Sequence, residues 1–215
     1  LSNIGNQVIC LDVDKEKIKS LNKGKCPIYE PGLKSKLKIG LDSGNLKFTT
    51  DSKEAVEASD LIFIAVGTPR LDNGRTNLSY IESAVKTISE NLNSNKIVVV
   101  KSTVPVGTTY IIKDLISDYI KENNIKYTID VVSNPEFLKE GKAIEDFESP
   151  DRIIIGYDNK KSLNVLKDLY HPFSIHHEKI IAMDVKSAEL TKYASNAMLA
   201  TKISFINEIA NICEK

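Results

Sequence analysis

Three continuous apolar runs, Leu61 to Val66, Ile97 to Lys101 and Tyr127 to Val132, constrain this chain more than any other feature. Runs of this kind suit the interior of a parallel sheet, where both faces of each strand are covered. Each run spills into an unusual polar loop: Gly67-Thr68-Pro69, Ser102-Thr103-Val104-Pro105, and Ser133 to Gly141. Open α/β sheets collect ligands at the carboxyl ends of their strands. Three such ends in one chain imply a single functional edge.

The remaining pattern agrees. Strands are expected at Val8–Val13, Leu46–Thr50, Arg152–Tyr157 and Ile180–Asp184, alternating with helices at Asp14–Asn22, Leu33–Leu41, Ser52–Ala58, Leu78–Leu92, Thr108–Asn123 and Lys161–Tyr170. Asp14, Asp51 or Ser52, and Asn77 stand where helix N-caps belong. This alternation specifies an α/β fold, a doubly wound, mostly parallel Rossmann-like sheet with helices on both faces. A last helix from Lys186 to Lys215 exceeds ordinary globular length and reads as a connector or dimer-forming element. The chain opens on Leu1 and stops in mid-helix, so it is expected to be a piece of a longer protein.

Composition narrows the function classes. Lys+Arg and Asp+Glu balance at 29 each, leaving no global field for nucleic acid or anionic lipid. No apolar run approaches the ~20 residues of a membrane span. Cys10, Cys26 and Cys213 show neither paired nor metal-ligand spacing, which fits a reducing cytoplasm. His171, His176 and His177 lack carboxylate or thiol partners at ligand spacing and are read as surface residues, so no metal site is expected.

Several residue sets carry chemistry, each with a plainer alternative. Asp12 ends the first strand, where an acid accepts hydrogen bonds from an adenosine ribose; it could equally cap the next helix. No G-x-G-x-x-G occurs, and Asp12 has too little chain before it to hold one. Thr68 follows a glycine that would let a cofactor approach, or simply sits in a turn. Thr103 precedes a helix N-terminus suited to polar or anionic ligands, or caps that helix. Glu136 and Glu140 flank apolar Phe137 and Leu138, as a proton relay or as a solvated acidic pair. Lys192 and Asn196, one helical turn apart, could steady an oxyanion, or Lys192 could snorkel at the edge of a packed face.

Longer motifs add to this reading. They are Cys26-Pro27-Ile28-Tyr29-Glu30-Pro31-Gly32-Leu33, Ala65-Val66-Gly67-Thr68-Pro69, Lys101 to Gly107, Ser133 to Gly141, Ala143 to Phe147, Pro150-Asp151-Arg152, and Glu189 to Asn196. In this order they resemble the UDP-glucose/GDP-mannose dehydrogenase family, its UDP-glucose branch most closely. The resemblance implies NAD as cofactor and a four-electron oxidation of a nucleotide-linked hexose at C6, through an aldehyde and a cysteine thioester.

Residue by residue, the resemblance places Asp12 and Lys17 on the adenosine ribose, and Thr68, Thr103 and Glu140 along the cofactor. Thr103 would also help to hold a catalytic water. Glu136 becomes the proton relay in thioester hydrolysis, and Glu136, Phe137, Leu138, Lys139 and Glu140 line the substrate. Lys192 and Asn196 hold the C6 oxygen. Residues 1–184 would form the NAD-binding domain without its first strand and glycine loop. Residues 185–215 would begin the central dimerisation domain, making a homodimer. None of the three cysteines lies in the family's nucleophile motif, so the segment alone is expected to show no turnover. GDP-mannose or UDP-N-acetylmannosamine as substrate, or an inactive nucleotide-binding module, are the alternatives.

Overall fold

The computed structural model describes residues 1–174 and 179–214; the His176–His177 pair lies outside them. The strands are β1 (Val8–Leu11), β2 (Leu46–Thr49), β3 (Leu61–Ile64), β4 (Lys96–Val100), β5 (Ile129–Ser133), β6 (Ile153–Gly156) and β7 (Ile180–Met183). The helices are α1 (Lys15–Asn22), α2 (Leu33–Asp42), α3 (Ser52–Glu57), α4 (Ser79–Glu90), α5 (Thr108–Glu122), α6 (Ala143–Glu148), α7 (Lys160–Tyr170) and α8 (Val185–Cys213). Asp14, Asp51 and Asp184 cap α1, α3 and α8 by accepting N–H bonds from Lys17, Glu54 and Ser187.

Five strands form one sheet in the order β3-β4-β5-β6-β7, parallel except at β5–β6. That antiparallel junction consists of the single pair Ser133↔Gly156. Strands β1 and β2 pair in parallel as a separate two-stranded sheet, so the expected continuous sheet is interrupted between β1 and β3.

The pleat sorts the core onto two faces. Val98, Val100 and Val131 turn toward α4 and α5, where they meet Ile81, Val85, Ile88, Ile112 and Ile116. Val99, Val132, Ile153 and Ile155 turn the other way, onto Leu163, Leu166 and Tyr170 of α7. The long helix α8 lies over β6 at Gly156. A Cβ added there would stand 2.6 Å from Ala188 Cβ and 2.9 Å from Val185 Cα, so the close approach requires glycine.

Only the first two turns of α8 are buried, through Val185, Ala188, Glu189 and Lys192. Beyond them Met198, Leu199, Ile203, Phe205, Ile206 and Ile212 are exposed. No helix among the described residues is long and apolar enough to cross a membrane.

Candidate active site

The strand ends meet at one edge, as the polar loops require. Ser102, after β4, donates its hydroxyl to Val66 O at 2.7 Å, and Thr68 donates to Thr103 O at 2.9 Å. These bonds stitch the loops after β3 and β4 together. The helix N-terminus that follows is not vacant. Glu189, 2% exposed on α8, accepts from Gly107 N–H at 2.5 Å, Thr109 N–H at 2.8 Å and Thr109 Oγ1 at 2.7 Å. The ligand-ready end of α5 read from the sequence is thus filled by the protein's own carboxylate.

Beyond β5 the chain enters a cleft of about 250 Å³. Asn134, 1% exposed, anchors this turn. Its backbone N–H donates to Val100 O at 2.9 Å and its Nδ2 to Ile154 O at 2.8 Å. Its Oδ1 accepts from Tyr170 Oη at 2.6 Å and Lys101 Nζ at 3.3 Å. One amide therefore joins β4, β6 and α7 where parallel pairing changes to antiparallel. With Asn134 so fixed, Pro135 throws Glu136 into the cleft.

Glu136 Oε1 pairs with Lys192 Nζ at 3.1 Å, while its Oε2 accepts from Leu138 N–H at 2.6 Å. Lys192 is only 7% exposed, so it does not snorkel; its ammonium sits 5.2 Å from the Phe137 ring centroid. Arg152 covers the same ring at 4.5 Å and donates to Ser195 Oγ at 3.2 Å. Leu138, Lys139 and Asn196 complete the lining drawn from the expected residues. Lys139 is held by Asp146, which accepts its backbone N–H at 2.8 Å and pairs with its ammonium at 3.3 Å. The Lys139 N–H bond is the main reason that the Asp146 carboxyl lies below its usual range.

The other expected residues stand apart from this cleft. Glu140 is exposed on a turn outside it, so the two glutamates do not form an i,i+4 pair on a helix. Asp12 follows β1, ion-paired with Lys17 and accepting Asp14 N–H at 3.0 Å. The Lys17 hydrogen bond, then that of Asp14, holds its carboxyl below the ordinary value, leaving a half-buried anionic acceptor. Asp12, Thr68 and Thr103 therefore mark the ends of β1, β3 and β4. The carboxyl ends of strands are where open α/β sheets take their ligands. Among the described residues no cluster of His, Cys, Asp or Glu could hold a metal ion.

Several site residues carried little sequence signal. Lys101 and Arg152 stood inside recognisable motifs without a role, and Tyr170 lies 36 residues from the amide it grips. Burial pushes the Tyr170 phenol above its ordinary value and the Lys101 ammonium down to about 8. Glu30, inside the Cys26 to Leu33 motif but given no role of its own, accepts from Gly141 N–H at 2.8 Å and Ala143 N–H at 2.9 Å. It thereby clamps the far end of the segment that carries Glu136.

Comparison with known proteins extends these observations. Residues 1–174 match the model of the UDP-glucose/GDP-mannose dehydrogenase family, NAD binding domain, and residues 186–215 match that family's central domain. A UDP-glucose 6-dehydrogenase of Bacillus subtilis is 48% identical over 214 residues, covering 100% of this chain and 45% of its own length. The solved UDP-glucose dehydrogenase of Pyrobaculum islandicum is 41% identical with TM-score 0.89, over 97% of this chain and 48% of that one. The GDP-mannose dehydrogenase of Pseudomonas aeruginosa is 39% identical with TM-score 0.90, over 96% and 48% respectively. The chain thus spans about half the length of these relatives. Sequence, fold and site motifs agree: the chain belongs to the UDP-glucose/GDP-mannose dehydrogenase family.

Proposed function

We propose that this chain is the cofactor-binding half of an NAD-dependent nucleotide-sugar 6-dehydrogenase that oxidises UDP-glucose to UDP-glucuronate. The observation that carries the reading is the desolvated Lys192 paired with Glu136 at 3.1 Å, facing a cleft that Asn196 also lines. A buried ammonium and a side-chain amide together favour the oxygen of a C6 alcohol as it gains negative charge. Glu136 is placed to take and return a proton beside that oxygen, working through a bound water in the hydrolytic step. Phe137 and Arg152 wall off one side, shielding the Lys192 end of the ion pair from bulk water. NAD, when bound, would supply the hydride acceptor, and Asp12, Lys17, Thr68 and Thr103 are the residues that would hold it.

The cleft supports a division of labour. At about 250 Å³ it falls below the roughly 300–1,000 Å³ of pockets that hold whole drug-sized ligands, which suits the hexose end of a nucleotide sugar. Residues 1–184 then serve as the NAD-binding unit and 185–215 as the start of the central domain. The exposed apolar residues of α8 support a homodimer. Three free thiols support a cytoplasmic setting.

The test is NADH formation by the protein at its natural length. NAD is supplied with UDP-glucose, GDP-mannose or UDP-N-acetylmannosamine in turn. Two NADH per UDP-glucose is the expected result. Activity with another sugar alone reassigns the substrate, and NAD binding without oxidation of any of them leaves a non-catalytic binding module.

A further inference from the structure

Lys101 is a charged group that the chemistry above does not use. It follows the last residue of β4, and its ammonium forms part of the cleft lining, 3.3 Å from Asn134 Oδ1 and 6.0 Å from the Tyr170 ring centroid. Among the described residues it makes no ion pair within 4 Å. A desolvated ammonium with one amide partner and one aromatic face is costly to keep and easy to neutralise. The groups facing it come from every neighbouring element: Asn134 and Glu136 after β5, Tyr170 on α7 and Lys192 on α8. Lys139, Asp146, Asp151 and Arg152 line the same cleft farther round.

We propose that Lys101 is a positioning residue of this site: a third charge, held by Asn134 and Tyr170, that frees Lys192 from Glu136 and makes the site pH-sensitive. Glu136 is ion-paired with Lys192 alone and acts on Lys101 only through longer-range Coulomb attraction. While Lys101 is charged, it attracts Glu136 and repels Lys192, so Lys192 is freer to meet a substrate oxygen. Once Lys101 is neutral, Glu136 keeps Lys192 as its sole cationic partner in this trio, and the ion pair competes with the substrate. Desolvation by burial brings this transition to about pH 8, with Glu136 opposing the shift and Lys192 adding to it. The kinetic consequence rests on the function proposed above; the charge arrangement does not.

Both parts are tested on the protein at its natural length. Lysine labelled with 13C at Cε reports the titration directly, and Lys101→Arg identifies its signal. The expected midpoint is about 8, lower in Glu136→Gln and higher in Lys192→Met. An ordinary lysine midpoint, or one indifferent to both substitutions, overturns the proposal. In kinetics, the wild type should lose kcat above about pH 8. Lys101→Arg should stay active without that limb. Lys101→Met should show a flat, low profile, about tenfold below the wild type at neutral pH if the lost interaction equals one pKa unit of energy and converging with it at high pH. Sugar KM should move less than kcat.

A structural role alone would leave the wild-type limb in both variants, and that result overturns the proposal too. If no nucleotide sugar is oxidised, the functional reading falls. The labelled-lysine titration still decides the charge arrangement.

Discussion

The five-stranded body and the two-stranded flank are made of the same alternating units, yet different forces hold them. In the body, Val98, Val99, Val131, Val132, Ile154 and Ile155 are buried on both faces of the sheet. In the flank, β1 contributes no buried residue and β2 only Thr49. The flank's apolar burial is confined to its helices, at Ile18, Leu37, Ala55 and Val56, and polar ties supplement it. Lys47 pairs with Glu54, Asn22 Nδ2 donates to Phe48 O at 3.0 Å, and Lys36 pairs with Glu148 of α6. Glu30 adds its clamp on Gly141 and Ala143. The body can stand on hydrophobic burial, whereas the flank is fastened to the loop that carries the site. Disturbing the site loop should therefore loosen the flank before it loosens the body.

Substitutions can break or sharpen this contrast. The largest effect is expected from Glu189→Ala, which strands three donors at the start of α5. Chemical denaturation should show a loss of about 4 kcal/mol, from roughly 1–3 kcal/mol per buried group left unsatisfied. A loss under about 1 kcal/mol would mean that water replaces the carboxylate. Next comes a matched pair of truncations. Leu166→Ala in the body should cost about 3 kcal/mol, and Ile9→Ala in the flank less than about 1 kcal/mol. Equal costs in the two regions would abolish the distinction.

Lys101→Met runs the other way. Its folded-state pKa of about 8 lies below the ordinary 10.5. The folded protein therefore binds fewer protons than the unfolded one between these values, and stability rises with pH across that window. Removing the charge should stabilise by about 2 kcal/mol at neutral pH. That figure is roughly 3 kcal/mol for the shift, less about 1 kcal/mol for the lost amide bond. The gain should fade from about pH 8 upward and be gone above 10.5. A pH-independent gain would place its origin in packing. The smallest change is expected from Glu30→Ala, about 1 kcal/mol globally, seen mainly as faster hydrogen exchange at Gly141 and Ala143. Unchanged exchange there would show that the flank does not steady the site loop.

The sequence announced the body better than the site. Continuous runs such as Ile97 to Val100 can be buried on both faces only inside a sheet, so β3, β4 and β5 were legible from local pattern. Glu136 and Lys192 were legible as chemistry, but their ion pair across 56 residues had no signal in the sequence. The antiparallel turn at Ser133↔Gly156 had no local signature, because strand direction is set by the connection and not by the strand. Asn134 stood in the Ser133 to Gly141 motif without a role, because its four bonds depend on β4, β6 and α7 arriving together. Glu189 was hidden for a related reason. A carboxylate on an apolar helix face gives no hint of which distant N–H groups it will meet.

That carboxylate also orders events in time. Gly107 and Thr109 leave the ribosome some 80 residues before Glu189 does. A growing chain can thus complete β4 and most of α5 while the first turn of that helix is still short of an acceptor. Until α8 swings over Gly156, the Thr103 loop sits on an unfinished helix end, and contacts of such long sequence separation form late. Assembly of the cofactor edge would then await the last helix, so that a partly synthesised chain presents its strands without a settled place for a ligand.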